Sequence, residues 1–344
     1  MAAKMAYKII ELLGDGISGE LSASVHEVAA ALPFELDFLQ IDLSDENRRK
    51  RGPELFDEAE ARIREVGTAL KYPTATTEES PNRVLRSRLQ FAVIHRPVCT
   101  IPGIETNFTK SIDIDVIRIA TGGTYEDVGR RIGSDTAVSL RVIERRPSRF
   151  AARFAFRLAQ MRACGVVSTS KFTIQQATDG LFEEEVGMVA RDYPATPYRR
   201  ELFDALLAGI IMHPDRYRVI VCPNEYGDFL SDSACGLIGS VGLGDSASYA
   251  FDSSGQVTIA MFDPSGGSAP DIAGQNICNP TAALLALANM LRHIGEQDAG
   301  RVLRTSILDA IAEGRATADI GGNLSTVDFT TEVTGRLKDS LSHA

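Results

Sequence analysis

The sequence of 344 residues contains few cysteines, and this limits the classes of protein to which it can belong. The cysteines are Cys99, Cys164, Cys222, Cys235 and Cys278. They are odd in number, widely spaced and never arranged as a CxxC pair. This pattern argues against a disulfide framework and against a thiolate metal site, and it favours a reducing compartment.

Long apolar runs are also missing. No stretch approaches the roughly 20 apolar residues that a membrane-spanning helix needs. No apolar core of a signal peptide precedes the strand-like segment that begins at Tyr7. We therefore expect a cytoplasmic protein without a membrane partner.

The sequence has no excess of basic residues. It has 36 lysines and arginines against 46 aspartates and glutamates, a net charge of −10. Because nucleic acids attract proteins through a cationic field, we do not expect a nucleic-acid partner. The hydrophobic share of 44% and the charged share of 24% are typical of a globular protein. Since one hydrophobic core rarely organises more than about 250–300 residues, the length predicts two subdomains.

The hydrophobic pattern predicts an α/β fold. Short apolar runs bounded by glycines or polar residues indicate strands at 7–13, 34–41, 69–71, 91–94, 115–119, 137–143, 165–169, 218–222 and 257–261. Apolar residues at helical spacing indicate helices at 21–32, 53–66, 82–89, 148–162, 181–189, 202–211, 282–292 and 299–313. Such alternation is typical of buried strands covered by helices.

A glycine-rich turn follows the first predicted strand. Gly14, Gly16 and Gly19 satisfy the spacing G-x-G-x-x-G, and Asp37 follows at about the distance of the ribose-binding acid of a dinucleotide fold. Asp15 inside the turn argues against a Rossmann site, because it would place a carboxylate beside a pyrophosphate. The alternative is a plain tight turn.

Three aspartates are candidates for a metal site. Asp228 and Asp232 are four residues apart, so they share one face if this stretch is helical. Carboxylates so placed suit Mg²⁺ or Mn²⁺, although a pair of solvated acids on a surface helix has the same pattern. Asp204 lies on an otherwise apolar predicted helix, where an acid is costly unless it is paired or bound to a metal.

Arginines are concentrated between residues 80 and 97 and again at the end of a later strand. They are Arg83, Arg86, Arg88, Arg96 and Arg118. Guanidinium groups that converge in a cleft would bind a small polyanion. Charge at a helix end would explain Arg83 and Arg88 equally well, whereas Arg96 and Arg118 follow strands, where open sheets place their ligands.

Two further segments indicate ligand chemistry. Lys171 ends an apolar strand, where a lysine can exchange protons if its pKa is lowered, although a surface lysine would look the same. Residues 263–281 form a long loop of small residues ahead of an apolar helix. Gly267, Ser268 and Gly274 would let a phosphate-bearing cofactor approach the backbone, and Asp271 would bind a diol.

Together these segments resemble the β-decarboxylating dehydrogenases, a family that includes isocitrate, 3-isopropylmalate, homoisocitrate and tartrate dehydrogenases. The segments that carry the resemblance are GDGISGE (14–20), SPNRVLR…RP (80–97), DVIR…Y (115–125), SKFTI (170–174), NEYGDFLSD (224–232), GSAPDIAGQNICNPTAA (267–283) and TADIGGNLST (317–326). They occur in order along nearly the whole chain.

The resemblance implies the isocitrate/isopropylmalate dehydrogenase-like fold, with two domains and a cofactor site that is not of the Rossmann type. It implies a large cofactor-binding domain of residues 1–98 and 253–344, and a central domain of residues 99–252 that carries the dimer interface. It further implies a homodimer whose active sites take residues from both subunits. The glycines of 14–19 then form a turn beside the nicotinamide end of the cofactor.

The resemblance also implies roles for the candidate residues. The substrate, a small anionic 2-hydroxy acid, would be bound by Ser80, Asn82, Arg86, Arg96 and Arg118. Mg²⁺ or Mn²⁺ would be held by Asp228 and Asp232, with Asp204 from the other subunit. The catalytic residues would be Tyr125, Lys171 and Asp204, with Lys171 also from the other subunit. Lys171 and Asp204 would accept the hydroxyl proton during hydride transfer, and Tyr125 would protonate the enolate left by loss of CO₂.

The cofactor implied by the resemblance is NAD. It would contact Ile17, Gly267, Ser268, Ala269, Asp271 and Asn279. Asp271 followed by Ile272 matches the NAD-specific members, in which a carboxylate binds the adenosine ribose and repels the 2′-phosphate of NADP.

Three positions depart from the family pattern. Gly266 stands in place of a histidine that would contact adenine, and Thr173 in place of an asparagine two residues after the catalytic lysine. Residues 119–123 replace an acidic run after Arg118. The polar Ser80 and Asn82 favour an anionic third arm on the substrate, so isocitrate is the first expectation and homoisocitrate the next. A specialised enzyme acting on a phosphono analogue such as phosphonomethylmalate, and a non-catalytic regulatory subunit, are the alternatives.

Overall fold

The computed structural model describes residues 6–77, 79–240 and 243–342, and it confirms the predicted α/β class. The strands are β1 (Ala6–Leu13), β2 (Glu35–Asp42), β3 (Thr68–Lys71), β4 (Val93–Cys99), β5 (Asp113–Ile119), β6 (Arg130–Ile132), β7 (Thr136–Val138), β8 (Val166–Ser170), β9 (Tyr198–Leu202), β10 (Val219–Cys222), β11 (Asp245–Phe251) and β12 (Val257–Pro264). The helices are α1 (Ser18–Ala29), α2 (Asp45–Arg51), α3 (Pro53–Val66), α4 (Pro81–Arg88), α5 (Arg145–Met161), α6 (Thr178–Ala190), α7 (Phe203–Met212), α8 (Asn224–Leu237), α9 (Thr281–His293), α10 (Gln297–Ala312) and α11 (Thr326–Ser342).

One mixed sheet organises the described residues. Its ten strands run in the order β2-β1-β3-β12-β11-β4-β5-β10-β8-β9. Strands β2, β1, β3 and β12 are parallel, β11 and β4 join by antiparallel pairing, and β5, β10, β8 and β9 are parallel again. The carboxyl ends of β5, β10, β8 and β9 therefore meet at one edge, which is where Arg118, Lys171 and the start of α7 lie.

The central strands are apolar because both faces of the sheet are covered. All residues of β3 and β10 are buried, as strands between two helix layers must be. Helix α5 shows the matching pattern, since it buries Ala151, Ala155 and Phe156 while its arginines point away from the core. As a result, a hydrophobic core lies on each face of the sheet.

The glycine turn after β1 is a packing element. The hydrogen of Gly14 faces the carbonyl of Pro73, and that of Gly16, whose φ is +58°, faces the carbonyl of Ser268. A side chain at either position would overlap backbone atoms. Asp15 accepts hydrogen bonds from the amides of Asp45 (2.8 Å) and Ala75 (2.7 Å). The turn therefore joins three segments of chain, and its glycines are needed for that close approach.

The predicted strand at 137–143 is wrong over most of its length. Only β7 forms there, in a two-stranded hairpin with β6, and the chain then continues irregularly apart from a bridge between Val142 and Gly123. The alternation of Val138, Leu140 and Val142 is typical of a strand, but Leu140 is 64% exposed because this segment leaves the sheet.

The predicted division into domains stays a prediction. The ten-stranded sheet runs through both parts, with β11 of the central part lying between β12 and β4 of the other. All five cysteines are free thiols. None of the helices described here is long and apolar enough to cross a membrane, and the first five residues, on which the expectation of no signal peptide rests, lie outside the described part.

We expect Gly16→Ala to lower the free energy of unfolding by at least about 2 kcal/mol, because the added methyl group meets the Ser268 carbonyl and the backbone has positive φ. Urea denaturation measures the change. Gly19→Ala is the matched control: it lies within α1 with nothing within 4 Å of the added atom, so it should be neutral or more stable by up to about 1 kcal/mol. Equal effects of the two substitutions would contradict the packing role of the turn.

Candidate active site

A cleft of about 660 Å³ gathers most of the predicted substrate-binding side chains. It lies between α4, the adjoining strands β4 and β5, the loop after β5 and the first turn of α8. Of the predicted residues, those that line it are Ser80, Asn82, Arg86, Arg96, Arg118, Tyr125 and Asp228. Residues from four separate parts of the chain thus face one space.

Arg118 forms the floor of this cleft. Its side chain is 2% exposed, its Nε donates to Asn224 Oδ1 at 2.8 Å, and its Nη1 is paired with Asp228. Gly227 makes the arrangement possible, because a Cβ there would lie 2.6 Å from the Cβ of Arg118. Burial, together with repulsion from Arg96 and Arg86, lowers the pKa of Arg118 to about 10, so it stays protonated at neutral pH.

Arg96 joins the two aspartates of α8. Its Nη1 donates to Asp228 at 3.2 Å, to Ser231 Oγ at 2.7 Å and to Asp232 at 3.0 Å. The predicted helix face is therefore present, and Asp232, although exposed, is tied to the cleft through Arg96. Within one chain, Arg96 and Arg118 therefore balance the negative charges of Asp228 and Asp232.

Asp228 and Tyr125 have the protonation states that the predicted chemistry needs. Burial alone would raise the pKa of Asp228, but Arg118 and Arg96 lower it below its usual value, so the carboxylate is ionised at neutral pH. The Tyr125 hydroxyl donates to Asp228 Oδ2 at 3.1 Å. Burial and the charge of Asp228 raise the pKa of Tyr125, which keeps its proton available.

Several buried polar atoms in the cleft have no hydrogen-bond partner among the described residues. They are Arg86 Nε, Arg96 Nε and Asn82 Oδ1. Ser80 precedes the first turn of α4, but its hydroxyl does not cap the helix. Unpaired buried donors are costly, so the two arginine nitrogens indicate a ligand that accepts hydrogen bonds from guanidinium groups, while the Asn82 oxygen is an acceptor that lacks a donor. An anion with carboxylate groups fits.

The donor set fits a divalent metal ion only in part. Asp228 and Asp232 supply the carboxylate oxygens that Mg²⁺ and Mn²⁺ prefer. Within the described part of a single chain, however, no three acidic, histidine or cysteine side chains converge on one point. The third predicted ligand, Asp204, lies outside the cleft. A single chain therefore brings together two of the three predicted metal ligands.

Lys171 and Asp204 form a separate pair. Lys171 Nζ donates to Asp204 Oδ1 at 2.8 Å, and this hydrogen bond lowers the pKa of Asp204. Lys171 follows β8 and Asp204 begins α7, so the parallel strands β8 and β9 bring them to the same edge of the sheet. Neither lines the cleft of its own chain. The Asp204 side chain is 68% exposed, so it is accessible to another molecule.

The predicted cofactor residues surround the loop after β12. Ile17 donates its amide to the carbonyl of Ser268 at 2.9 Å, next to Gly267 and Ala269. Glu20 holds the loop by accepting from the amides of residues 274 and 276 at 2.7 and 2.8 Å. Asn279 Oδ1 accepts from the amide of Thr281, and its Nδ2 donates to Asp319.

The carboxylate of Asp271 is exposed and engages no other described side chain. It is therefore available to the hydroxyl groups of a ligand.

Several residues that shape the site are not among those predicted from the sequence. Asn224 donates to the carbonyl of Gly122, and Glu225 accepts from the amide of Thr124, which fixes the loop after β5 that departs from the family pattern. Arg83, interpreted as surface charge, lines the cleft. Arg83 lies three residues before Arg86 on α4, so the two side chains share one face of the helix. This spacing was the feature of the sequence that could have identified Arg83. Arg88 also borders the cleft, but its guanidinium group is paired with Asp57.

Comparison with known proteins gives a consistent result. The profile of the isocitrate/isopropylmalate dehydrogenase family matches residues 8–335. A 3-isopropylmalate dehydrogenase of Archaeoglobus fulgidus is 35% identical over 332 residues, 96% of this chain and 99% of the relative. The mitochondrial NAD isocitrate dehydrogenase catalytic subunit 6 of Arabidopsis thaliana is 34% identical over 330 residues, 94% of this chain and 87% of the relative.

A solved structure agrees with this result. The isocitrate dehydrogenase from Methylococcus capsulatus has a TM-score of 0.87 at 30% sequence identity, covering 96% of this chain and 99% of that one. The predicted fold is therefore confirmed, and the chain belongs to the isocitrate/isopropylmalate dehydrogenase family.

Proposed function

We propose that this protein is an NAD-dependent and divalent-metal-dependent dehydrogenase that oxidatively decarboxylates a 3-carboxy-2-hydroxy acid with an anionic third arm. One observation carries the proposal: Arg86 and Arg96, each with a buried Nε that has no partner among the described residues, line one cleft together with the ionised Asp228 and the protonated Tyr125. Such a cleft supports binding of an anion together with a cation and provides a proton donor beside them.

The arginines support a substrate with several carboxylates. In the protein alone, Arg96 and Arg118 neutralise Asp228 and Asp232. A divalent cation and an anionic substrate that arrive together would replace these pairs without leaving a buried charge uncompensated. Arg83 is exposed at the rim and supports an anionic third arm. Isocitrate is the first candidate substrate, followed by homoisocitrate and a phosphono analogue.

Different residues of the chain perform different steps of the proposed reaction. Arg86, Arg96 and Arg118 orient the substrate carboxylates for hydride transfer from C2 to the nicotinamide. The pair of Lys171 and Asp204 takes up the hydroxyl proton: Lys171 accepts it after passing one of its own protons to the Asp204 carboxylate. When bound by Asp228, Asp232 and Asp204, the metal ion would supply Lewis-acid stabilisation of negative charge on substrate oxygens.

Tyr125 completes the reaction after CO₂ leaves. It donates its proton to the carbon that carried the carboxylate, for which its raised pKa is suited.

Shared active sites in a homodimer would supply the missing groups. Asp204 and Lys171 lie apart from the cleft of their own chain, and the cleft has only two acidic ligands. Apolar side chains are exposed near both halves of the site: Val128 and Leu140 beside the hairpin, Met212 on α7 and Phe229 on α8. Exposed apolar surface of this kind is typical of an interface.

The cofactor would be NAD. Asp271 presents an unpaired carboxylate on the loop after β12, where it would accept hydrogen bonds from both ribose hydroxyls. The same charge would repel a 2′-phosphate.

A substrate panel tests the function. With NAD⁺ and Mn²⁺, we expect NADH absorbance from isocitrate, homoisocitrate or phosphonomethylmalate in preference to isopropylmalate, because Arg83 favours a charged third arm. Arg83→Ala should raise the KM of the preferred substrate by about tenfold and leave turnover of isopropylmalate unchanged. Arg62→Ala, at an exposed position on α3, is the control. No turnover of any member, with activity appearing only in a complex with another subunit, would favour the regulatory alternative.

Mixed subunits test the shared site. Lys171→Met and Tyr125→Phe should each be inactive. Co-expressed together, they should recover about one quarter of wild-type activity, since about half of randomly paired dimers are mixed and each mixed dimer has one intact site. No recovery in purified mixed dimers would show that Lys171 serves its own chain.

Cofactor choice is tested at Asp271. Asp271→Lys should narrow the preference for NAD⁺ over NADP⁺, as measured by the ratio of kcat/KM values, because a 2′-phosphate would meet a cation in place of an anion. Asp309→Lys makes the same charge change at an exposed position on α10 and should leave the ratio as it is. An unchanged ratio in Asp271→Lys would contradict the assignment.

A further inference from the structure

A buried chain of ion pairs joins the segments that carry two of the proposed catalytic residues. Arg141 lies in the irregular stretch between β7 and α5, and its guanidinium group contacts carboxylates of two helices. Its Nε donates to Asp179 Oδ1 of α6 at 2.9 Å, and its Nη1 is paired with Glu225 of α8. Both carboxylates are buried, and only 11% of the Arg141 side chain is exposed. We call Asp179, Arg141 and Glu225 the arginine bridge.

One end of the bridge holds the loop that leads into Tyr125. The amide of Thr124 donates to Glu225 Oε2 at 3.4 Å. Gly123, whose φ is +71°, lies against the same carboxylate, which a Cβ there would overlap. Gly123 also exchanges two backbone hydrogen bonds with Val142, at 2.6 and 3.0 Å. The backbone before Tyr125 is thereby attached both to the bridge and to the residue that follows the bridging arginine.

The other end of the bridge holds the backbone of Lys171. Asp179 Oδ2 accepts from the amide of Lys171 at 2.7 Å and from the hydroxyl of Tyr226 at 3.2 Å. Burial and the charge of Asp179 raise the pKa of Tyr226 to about 12, so its hydroxyl keeps the proton that it donates. The Tyr226 ring stacks on Phe203, with 4.5 Å between the ring centroids, and Phe203 directly precedes Asp204. This end therefore fixes the backbone at Lys171 and beside Asp204.

The shape of the arginine side chain suits this position. Two buried carboxylates flank one cation, so the cation must contact both of them to offset the cost of their burial. A planar guanidinium group presents several donors in a fixed arrangement, and it also lies 4.9 Å from the centre of the Tyr226 ring. A lysine would bring the same charge on a flexible stem with a single nitrogen, so it would hold the two carboxylates less firmly.

We propose that Arg141 is a positioning residue for both proton transfers, the one at Tyr125 and the one at Lys171. Arg141 does not line the cleft, and it acts through Glu225 on one residue and through Asp179 on the other. In the proposed homodimer these two residues serve different active sites, so one arginine fixes the geometry of a proton-transferring group in each. This inference rests on the proposed function, since it concerns the residues that move protons in that reaction.

Steady-state kinetics separate positioning from substrate binding. With NAD⁺, Mn²⁺ and the preferred substrate of the panel, Arg141→Lys should lower kcat about tenfold, because both proton-transferring groups lose their fixed geometry. The KM should stay within about twofold of the wild type, since the substrate-binding arginines lie outside the bridge. The thermal midpoint should stay within about 4 °C, because lysine keeps the buried carboxylates paired with a positive charge.

Arg145→Lys is the matched control. Arg145 is also paired with two carboxylates, those of Glu184 and Glu185 on α6, but these hold neither catalytic segment. Its kcat and KM should equal those of the wild type. A lower thermal midpoint with unchanged kcat in Arg141→Lys would show a merely structural role and overturn the proposal. So would a raised KM with unchanged kcat, which would assign Arg141 to substrate binding.

Glu225→Gln tests the bridge from one end without removing the arginine. The amide has one acceptor oxygen, whereas both oxygens of the carboxylate are in use. The variant leaves Arg141 paired with Asp179, so no buried carboxylate loses its cation and the protein should fold. Its kcat should fall at least about threefold at unchanged KM, and an unchanged kcat would overturn the proposal.

Mixed dimers distinguish the two ends of the bridge. When an Arg141→Lys chain is paired with a Tyr125→Phe chain, the surviving site uses Tyr125 of the Arg141→Lys chain. When it is paired with a Lys171→Met chain, the surviving site uses Lys171 of the Arg141→Lys chain. Each purified mixed dimer should have a kcat at least about threefold below that of the same dimer made with a wild-type chain. A loss in only one of the two would overturn the claim that Arg141 serves both residues.

The wild type serves as the reference for both ideas. Wild-type protein that turns over no member of the substrate panel would overturn the proposed function, and this inference with it. Wild-type turnover with unchanged kcat in Arg141→Lys would overturn this inference alone.

Discussion

The ion pair between Arg118 and Asp228 is the constraint on which the candidate site depends. A guanidinium group that is 2% exposed is tolerated only with partners of opposite charge. Asp228 and Asn224 provide those partners, and both stand on the first turns of α8. The helix can approach because Gly227 has no side chain to meet Arg118. The position of α8 against β5 therefore follows from satisfying one buried charge, and it places Asp232 and Tyr125 around the same space.

The turn after β1 and the loop after β12 are organised by backbone contact. The turn after β1 meets the chain at residues 73 and 268 through two glycines, and Glu20 holds the loop after β12 by two backbone amides. These bonds fix the loop and leave the Asp271 carboxylate unpaired. A carboxylate that stabilises a loop and one that recognises a ligand can thus be told apart by whether their oxygens are already occupied. Asp15 and Glu20 belong to the first case, whereas Asp271, whose carboxylate oxygens are unoccupied, is the residue proposed to bind the cofactor.

Charge balance links the cleft to its surroundings. The chain carries a net charge of −10, so an anionic ligand must be attracted by a local excess of cations. Arg86, Arg96 and Arg118 provide that excess, but Asp228 and Asp232 offset part of it. The binding strength of the cleft then depends on which carboxylates are occupied by other cations. This is the physical basis for the proposed binding of a divalent cation beside the arginines.

The sequence by itself determined the alternation of strands and helices, because apolar periodicity reflects burial along one short segment. It also indicated Arg86, Arg96, Arg118, Tyr125 and the pair Asp228 and Asp232, whose motifs are local and whose order matches a known family. It was wrong over most of 137–143, where a short hairpin strand is followed by irregular chain with an exposed Leu140, and it missed Asn224, Glu225 and the cleft-lining position of Arg83. Only the tertiary structure decided that the glycines of 14–16 serve packing, and that Lys171 and Asp204 lie apart from the cleft of their own chain. Each of these depends on contacts between segments far apart in the chain, and local periodicity carries no information about such contacts.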